Sequence, residues 1–299
     1  MPTALLVIVN PTAGGGRAGR LVPWLRERLG LRPEARLEVT THAGHAERLA
    51  AEAAPVHDRI VAVGGDGTVQ EIINGMLASG GGASLGIVPT GSGNDLARSL
   101  RLPTEPGAAW TVAVGEGVRP LDLGQASNGR EGARWFGSAG GIGFDAGVAT
   151  AMSSRSGWQR GRAGYLLTTL AELRRFENRE VEIVIDGSAS RRRVLFIAIA
   201  NGEYYGGGMR IAPGAVTDDG LLDVCIVGDI SRLTALRQLP NLYRGTHVAH
   251  PQVELVQARS LSIEGDARTL VHLDGEPFGT LPLTVELHRD RLLVAAPLR

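Results

Sequence analysis

The chain contains no lysine: all 31 of its basic residues are arginine. This excludes the P-loop, whose GxxxxGK[ST] motif needs a lysine for the phosphates, and it excludes Schiff-base catalysis on a lysine amine. Any bound phosphate must be held by backbone N–H groups, by arginine or by a metal. Cysteine is nearly as scarce. The single Cys225, inside the apolar run LLDVCIV, reads as a buried strand residue. One thiol makes neither an internal disulfide nor a thiolate metal cage, which points to a cytoplasmic location. No apolar stretch reaches the roughly 20 residues of a membrane span. The opening MPTALLVIVNP has neither the basic leader nor the run length of a signal peptide. Membrane contact is therefore expected to be peripheral and transient. The formal net charge is zero, so the composition advertises no nucleic-acid partner.

What is present is a chain of 299 residues, 43% hydrophobic and 21% charged, long enough for two domains with substantial cores. Residues 1–120 alternate strand and helix. Strands are expected at 4–10, 36–40, 59–65 and 84–90, and helices at 17–29, at 45–54, after Asp66 and after Asn94. That alternation predicts an α/β domain: a parallel sheet with helices on both faces. After Val118 the pattern becomes a series of short strands with Gly, Asp and Asn turns. RRVLFIAIAN, LLDVCIV, TLVHLDG and LTVELH are examples. Helical insertions are expected near 160–176 and 230–243. Residues 121–289 thus read as a mostly antiparallel, β-sandwich-like domain, and a strand at about 290–299 is free to return to the first domain. A homodimer is compatible with the sequence.

Three strand ends in the first domain open into small polar loops before a helix: NPTAGGGRAGR (10–20), GGDGT (64–68) and PTGSGND (89–95). In an open parallel sheet, ligands sit at the carboxyl ends of the strands, where helix N-termini present unpaired N–H groups. Three such loops suit a polyphosphate. The first holds a literal GxGxxG (Gly14, Gly16, Gly19), but the second strand ends Val39-Thr40-Thr41-His42 without the ribose-binding acid of a dinucleotide fold. Asp66, an acid among phosphate-facing amides, makes sense with a divalent cation such as Mg²⁺ between it and the phosphates. The plainer alternative is a turn residue or helix cap. Thr68, with Glu71 three residues on, is expected to cap the helix that follows. Five of the seven histidines, 42, 45, 247, 250 and 272, show no metal-ligand spacing.

Taken together, NP-x-AGGG (from Asn10), GGDGT-x-x-E (Gly64 to Glu71), PTG-x-x-ND (Pro89 to Asp95), GFDA (Gly143 to Ala146), DDGLLDV (from Asp218) and LDGE (Leu273 to Glu276) resemble the diacylglycerol-kinase-like lipid kinases, in order and over nearly the whole chain. The resemblance implies ATP bound in a cleft between two domains. It implies a nucleotide site lined by Asn10, Pro11, Thr12, Ala13, Gly14, Thr40, Gly64, Gly65, Asp66, Gly67, Thr68, Val69, Gln70 and Ser92, with serine where many relatives have threonine. It implies a proton acceptor at Glu276, with Asp274 beside it. It also implies a structural Mg²⁺ on Asp219 and the backbone oxygens of Val216 and Leu221. In this reading Asp66 binds or orients the catalytic metal, and γ-phosphoryl transfer goes to the hydroxyl of a lipid alcohol such as diacylglycerol. Arginines 155, 160 and 162 are candidates to meet the γ-phosphate. The rivals are an NAD kinase-like phosphotransferase, because GGDGT also occurs there, and a nucleotide-binding regulator without catalysis.

Overall fold

The computed structural model describes residues 4–30, 34–153 and 162–297. The chain divides into two units, Met1–Leu121 with Asp290–Arg299, and Asp122–Arg289.

The first unit runs β1 (Leu5–Val9), α1 (Ala13–Arg20), α2 (Val22–Leu29), β2 (Ala35–Val39), α3 (His45–Ala53), β3 (Arg59–Gly64), α4 (Asp66–Ala78), β4 (Ser84–Pro89), α5 (Asp95–Ser99) and α6 (Pro106–Ala113). The strands pair in parallel in the order β2-β1-β3-β4. β1, β3 and β4 are buried along their whole length, as a sheet covered on both faces requires. Leu5, Val7, Val9, Val61, Val63 and Val88 pack with Leu25, Leu29 and Trp110 in one core. The alternate residues Ile8, Ile60, Ala62 and Ile87 are buried on the opposite face.

The helix expected over 17–29 is two helices broken at Leu21, because Pro23 in the first turn of α2 has no N–H to continue the ladder. α6 had no counterpart in the sequence reading.

The second unit continues with β5 (Val118–Asn128), which starts in the first unit, then β6 (Gly132–Phe136), β7 (Ala139–Gly143), α7 (Phe144–Ser153), α8 (Arg162–Arg175), β8 (Arg179–Ile185), β9 (Ser188–Val194) and β10 (Phe196–Ala200). A two-stranded ribbon follows, β11 (Tyr204–Tyr205) and β12 (Met209–Arg210), then β13 (Leu222–Val227), α9 (Arg232–Arg244), β14 (Val253–Ala258), β15 (Ser260–Gly265), β16 (Leu270–Leu273), β17 (Glu276–Thr280) and β18 (Leu283–Ala295). The end of β18 pairs in parallel with β4, Val294 opposite Leu85, so the first unit's sheet has a fifth strand. Within the second unit β18-β15-β8-β9 form one antiparallel layer, and β14-β13-β10-β7-β16-β17 another.

RRVLFIAIAN, expected as a single strand, is two. It breaks at Leu195, whose N–H turns to the carbonyl of Val227 at 2.8 Å, and β9 and β10 join different layers. The near-continuous apolarity of β10 and β13 follows from burial on both faces. Ile197, Ile199, Val224 and Ile226 fill the core between the layers, while Phe196, Ala198, Cys225 and Val227 face a second core with α7, α8 and α9. Cys225 is buried, and its thiol is pushed up to about 12, by burial first and then by the Asp145 charge, so it stays protonated and unreactive.

Candidate functional site

In the first unit the three polar loops meet at the carboxyl ends of β1, β3 and β4. Their contact is backbone on backbone, and this is why they are glycine. Gly14 sits at φ +61°, and a Cβ there would lie 1.9 Å from the Thr90 carbonyl oxygen. A Cβ on Gly91 would lie 2.5 Å from the Cα of Gly65. No other residue tolerates both the left-handed backbone and the closeness at Gly14. The N–H groups of Thr90 and Gly91 donate to the Gly64 carbonyl at 2.8 and 3.2 Å, joining the second and third loops. Arg17 ties the first loop to the third: Nε donates to Gly14 O at 3.1 Å and Nη2 to Gly91 O at 2.9 Å. Asn10 organises the first loop. Its Oδ1 accepts from the N–H and hydroxyl of Thr12, and its Nδ2 donates to Thr68 Oγ1 at 3.0 Å.

Asp66 is the first residue of α4, yet it does not cap that helix. Its Oδ2 accepts from the Asn94 N–H at 2.7 Å and its Oδ1 from the Asp95 N–H at 2.6 Å. The carboxylate therefore caps α5 and locks PTGSGND against GGDGT. Desolvation pushes its carboxyl above the ordinary carboxylate range, while the Asp95 and Asn94 N–H groups pull it back. The expected Thr68–Glu71 capping box is absent. Thr68 is buried inside α4 and accepts from Asn10, and the N-cap position is Gly65, which has no side chain to cap the helix. Glu71 caps α3 instead, accepting from the N–H groups of Gly44 and Ala46 at 2.9 and 3.1 Å. Each acid serves a neighbouring helix, so the N-terminus of α4 is left without a side-chain cap.

Thr40, buried just past β2, donates its N–H to Val9 O at 2.9 Å, and Ser92 is exposed at the tip of the third loop. Val69 and Gln70 are buried within α4. Thr90 Oγ1 and Asn94 Oδ1 are buried without a hydrogen-bond partner in the same loops. An uncapped helix N-terminus, an arginine and unsatisfied polar atoms suit a polyphosphate with its cation. The sequence reading missed Arg17. The available signals were the missing lysine and a position inside the glycine loop.

In the second unit the LDGE segment is a tight hairpin. Asp274 and Gly275 connect β16 to β17 with φ of +49° and +86°, which is the Asp-Gly turn geometry matched to the strand twist. Asp274 Oδ1 accepts from the N–H groups of Ser138 and Ala139 at 2.9 and 3.0 Å, and Oδ2 from Gly137 at 3.0 Å. Glu276, the first residue of β17, is exposed and pairs across from Leu273.

Behind the turn lies a buried pair that the sequence reading left among the ordinary histidines. His272 Nδ1 accepts from the Gly275 N–H at 3.3 Å, and its Nε2 is 3.4 Å from Asp145 Oδ2 of the GFDA segment. Burial pushes the Asp145 carboxyl up, and His272 partly offsets this. The pair needs Gly141 beside it, where a Cβ would lie 2.0 Å from Asp145 Oδ2 and 2.3 Å from His272 Nε2.

In the loop 216–221, Asp219 Oδ1 accepts from the Leu221 N–H at 3.0 Å, and the Gly220 N–H donates to Oδ2 of buried Asp122 at 2.7 Å. Asp223 is pushed up to about 6, by burial first and then by the negative Asp219. That accumulation of negative charge fits a cation. The described residues hold no group of three or more His, Cys, Asp or Glu side chains placed around one metal, so a cation here would depend on backbone carbonyls. Arg155 and Arg160 lie outside the described residues, and Arg162 opens α8.

Residues 4–126 match the family model "Diacylglycerol kinase catalytic domain", and residues 139–296 match "YegS C-terminal NAD kinase beta sandwich-like domain". The chain is 33% identical to a diacylglycerol kinase of Mycobacterium tuberculosis over 296 residues, covering 97% of this chain and 94% of that protein. It is 30% identical to the diacylglycerol kinase of Bacillus subtilis over 283 residues, 92% of this chain and 90% of that one. A solved structure from Bacillus anthracis superposes with a TM-score of 0.81 at 28% identity, covering 99% and 96% of the two chains. The protein belongs to the diacylglycerol-kinase-like lipid kinase family. Among the described residues no helix is long and apolar enough to cross a membrane.

Proposed function

We propose that the protein is an ATP-dependent, Mg²⁺-requiring kinase that phosphorylates the hydroxyl of a membrane lipid alcohol, with diacylglycerol, the substrate class named for its relatives, as acceptor. The observation that supports this most is the loop cluster, in which Asp66 braces the third loop while α4 keeps an N-terminus without a side-chain cap. The α4 amides, Arg17 and the Asn10 loop would bind the phosphates, and the remaining lone pairs of Asp66 and the unsatisfied Asn94 Oδ1 would hold the cation or its waters. Magnesium supplies charge neutralisation on the phosphates. The protein's remaining task is the proton. Both oxygens of Asp274 already hold three N–H groups, so it acts as a brace, and Glu276 accepts the hydroxyl proton as the alcohol oxygen bonds to phosphorus and ADP leaves. Asp219, with the carbonyls of Val216 and Leu221, would hold the structural Mg²⁺ and relieve its repulsion with Asp223.

The test is a screen with purified protein, labelled ATP and Mg²⁺ against diacylglycerol, monoacylglycerol, a sphingoid base, phosphatidylglycerol and NAD. Label in phosphatidic acid is expected. Label only in NADP ends the lipid reading, and ATP hydrolysis that no lipid alters, and that is unchanged in Asp66→Asn, would favour a regulator.

A further inference from the structure

We propose that the outer face of α9 is a docking surface for an anionic lipid bilayer. α9, RLTALRQLPNLYR, contains three arginines and no acid. It turns Ala235 and Leu242 into the core, with Leu239 packed beside them. A surface helix ordinarily gives its other face to polar residues. Here Leu233, Leu236 and Tyr243 are 55%, 39% and 47% exposed. At 3.6 residues per turn Tyr243, Leu236, Pro240 and Leu233 share an arc of about 80°, with Arg244 and Arg237 along one edge. Of the seven large apolar side chains exposed among the described residues, three lie on this helix. A fourth, Val248, sits on the short 3₁₀ turn His247–Ala249 that follows it. Leu167 of α8, a helix that contacts α9, is 58% exposed.

Charge decides the occupant. Arg237 and Arg244 make no ion pair among the described residues, and α9 offers no carboxylate. Asp229, just before α9, pairs with Asn178 and Arg193, and Glu254 of β14 pairs with Arg192. In a two-fold contact between copies the same patch meets itself, which opposes arginine to arginine. Lipid phosphates remove that conflict, while the leucines and the tyrosine ring enter the headgroup and acyl boundary. Apolar side chains flanked by arginine and an interfacial tyrosine are the composition of a helix that lies on a membrane. This inference rests on the proposed function, because a membrane-resident substrate gives the docking a purpose.

The test uses the full chain in vesicle sedimentation, with phosphatidylcholine alone and with about one third phosphatidylglycerol. Wild type is expected to pellet with the anionic vesicles. Arg237→Gln with Arg244→Gln should weaken that binding about 30-fold, at about 1 kcal/mol for each arginine near the surface. Leu233→Ser with Leu236→Ser, both at exposed positions, should abolish it. Phosphorylation of a short-chain diacylglycerol dispersed in detergent should be unchanged in both variants. Wild type that binds neither vesicle, or variants that bind as wild type does, overturn the proposal. So do variants that turn a dimer into a monomer while vesicle binding persists, because the face then belongs to a second copy. Vesicle binding through α9 without phosphorylation of any lipid upholds the docking and removes the proposed function.

Discussion

Each of the two units uses an aspartate at the start of an element or at a turn to catch the backbone of another segment. In the first unit Asp66 starts a 13-residue helix and holds the N–H groups of Asn94 and Asp95. In the second, Asp274 tips a hairpin and holds those of Gly137, Ser138 and Ala139. A third turn serves as a reference: Asp186-Gly187, between β8 and β9, has Asp186 at φ +45° and receives the N–H groups of Arg259 and Ser260. Asp186 and Asp274 share one chemistry, in which a carboxylate at a left-handed turn position satisfies amides that would otherwise be unpaired. The three N–H contacts of Asp274 are of this kind. Asp66 differs because its helix keeps an N-terminus without a side-chain cap and unsatisfied polar atoms lie in the loops beside it.

The strongest test of this division is Glu276→Gln. Turnover should fall roughly 10²–10⁴-fold, the range of a lost general base, while stability changes by less than about 1 kcal/mol in denaturant unfolding. An active variant would return the base to Asp274. Next, Asp66→Asn leaves an amide N–H₂ facing one of the two caught N–H groups. It should cost about 1.5–3 kcal/mol in the same unfolding measurement and should also suppress turnover. Retained turnover at saturating ATP would reduce Asp66 to a second Asp274.

Asp274→Asn should destabilise by a similar or smaller amount, about 1–3 kcal/mol, and its residual activity should keep the wild-type pH profile. Asp186→Asn, at an exposed turn, should cost about 1 kcal/mol or less with activity intact, which calibrates the structural share of the other two.

The smallest effect concerns acid. His247 is buried, and its Nε2 is 3.1 Å from the Ile211 carbonyl oxygen. Burial lowers its pKa, partly offset by the backbone of Ile211 and of Asn241. The unfolded chain then binds a proton that the folded chain refuses, so stability is complete above the ordinary histidine range and declines as pH falls through about 6.5. Melting temperature measured between neutral and mildly acid pH should show this slope, and His247→Gln should flatten it.

Much of the fold could be read along the chain. The 3.6-residue and 2-residue periodicities of the two halves identified a parallel α/β sheet and an antiparallel sandwich. The reading failed where the same run serves two layers. RRVLFIAIAN is uniformly strand-like, and only the bond from Leu195 N–H to Val227 O divides it. It failed again at capping. Thr68 and Glu71 have the right spacing for a box, but α4 packs against α3 so closely that a Cβ on Gly75 would lie 2.0 Å from the Glu47 carbonyl, and Glu71 reaches the N-terminus of α3 instead. The loop motifs were visible because glycine and aspartate are tied to particular backbone geometries. Arg17, Asp122 and the His272–Asp145 pair were not, because an arginine, an aspartate or a histidine carries no local mark of what it will face.

The sequence by itself determined the family, the alternation of elements and the residues that must be glycine, since these are properties of neighbours along the chain. Tertiary structure alone decided which amides each carboxylate holds and that α9 turns leucines and arginines outward. Those partners lie up to 137 positions apart, and only folding selects them.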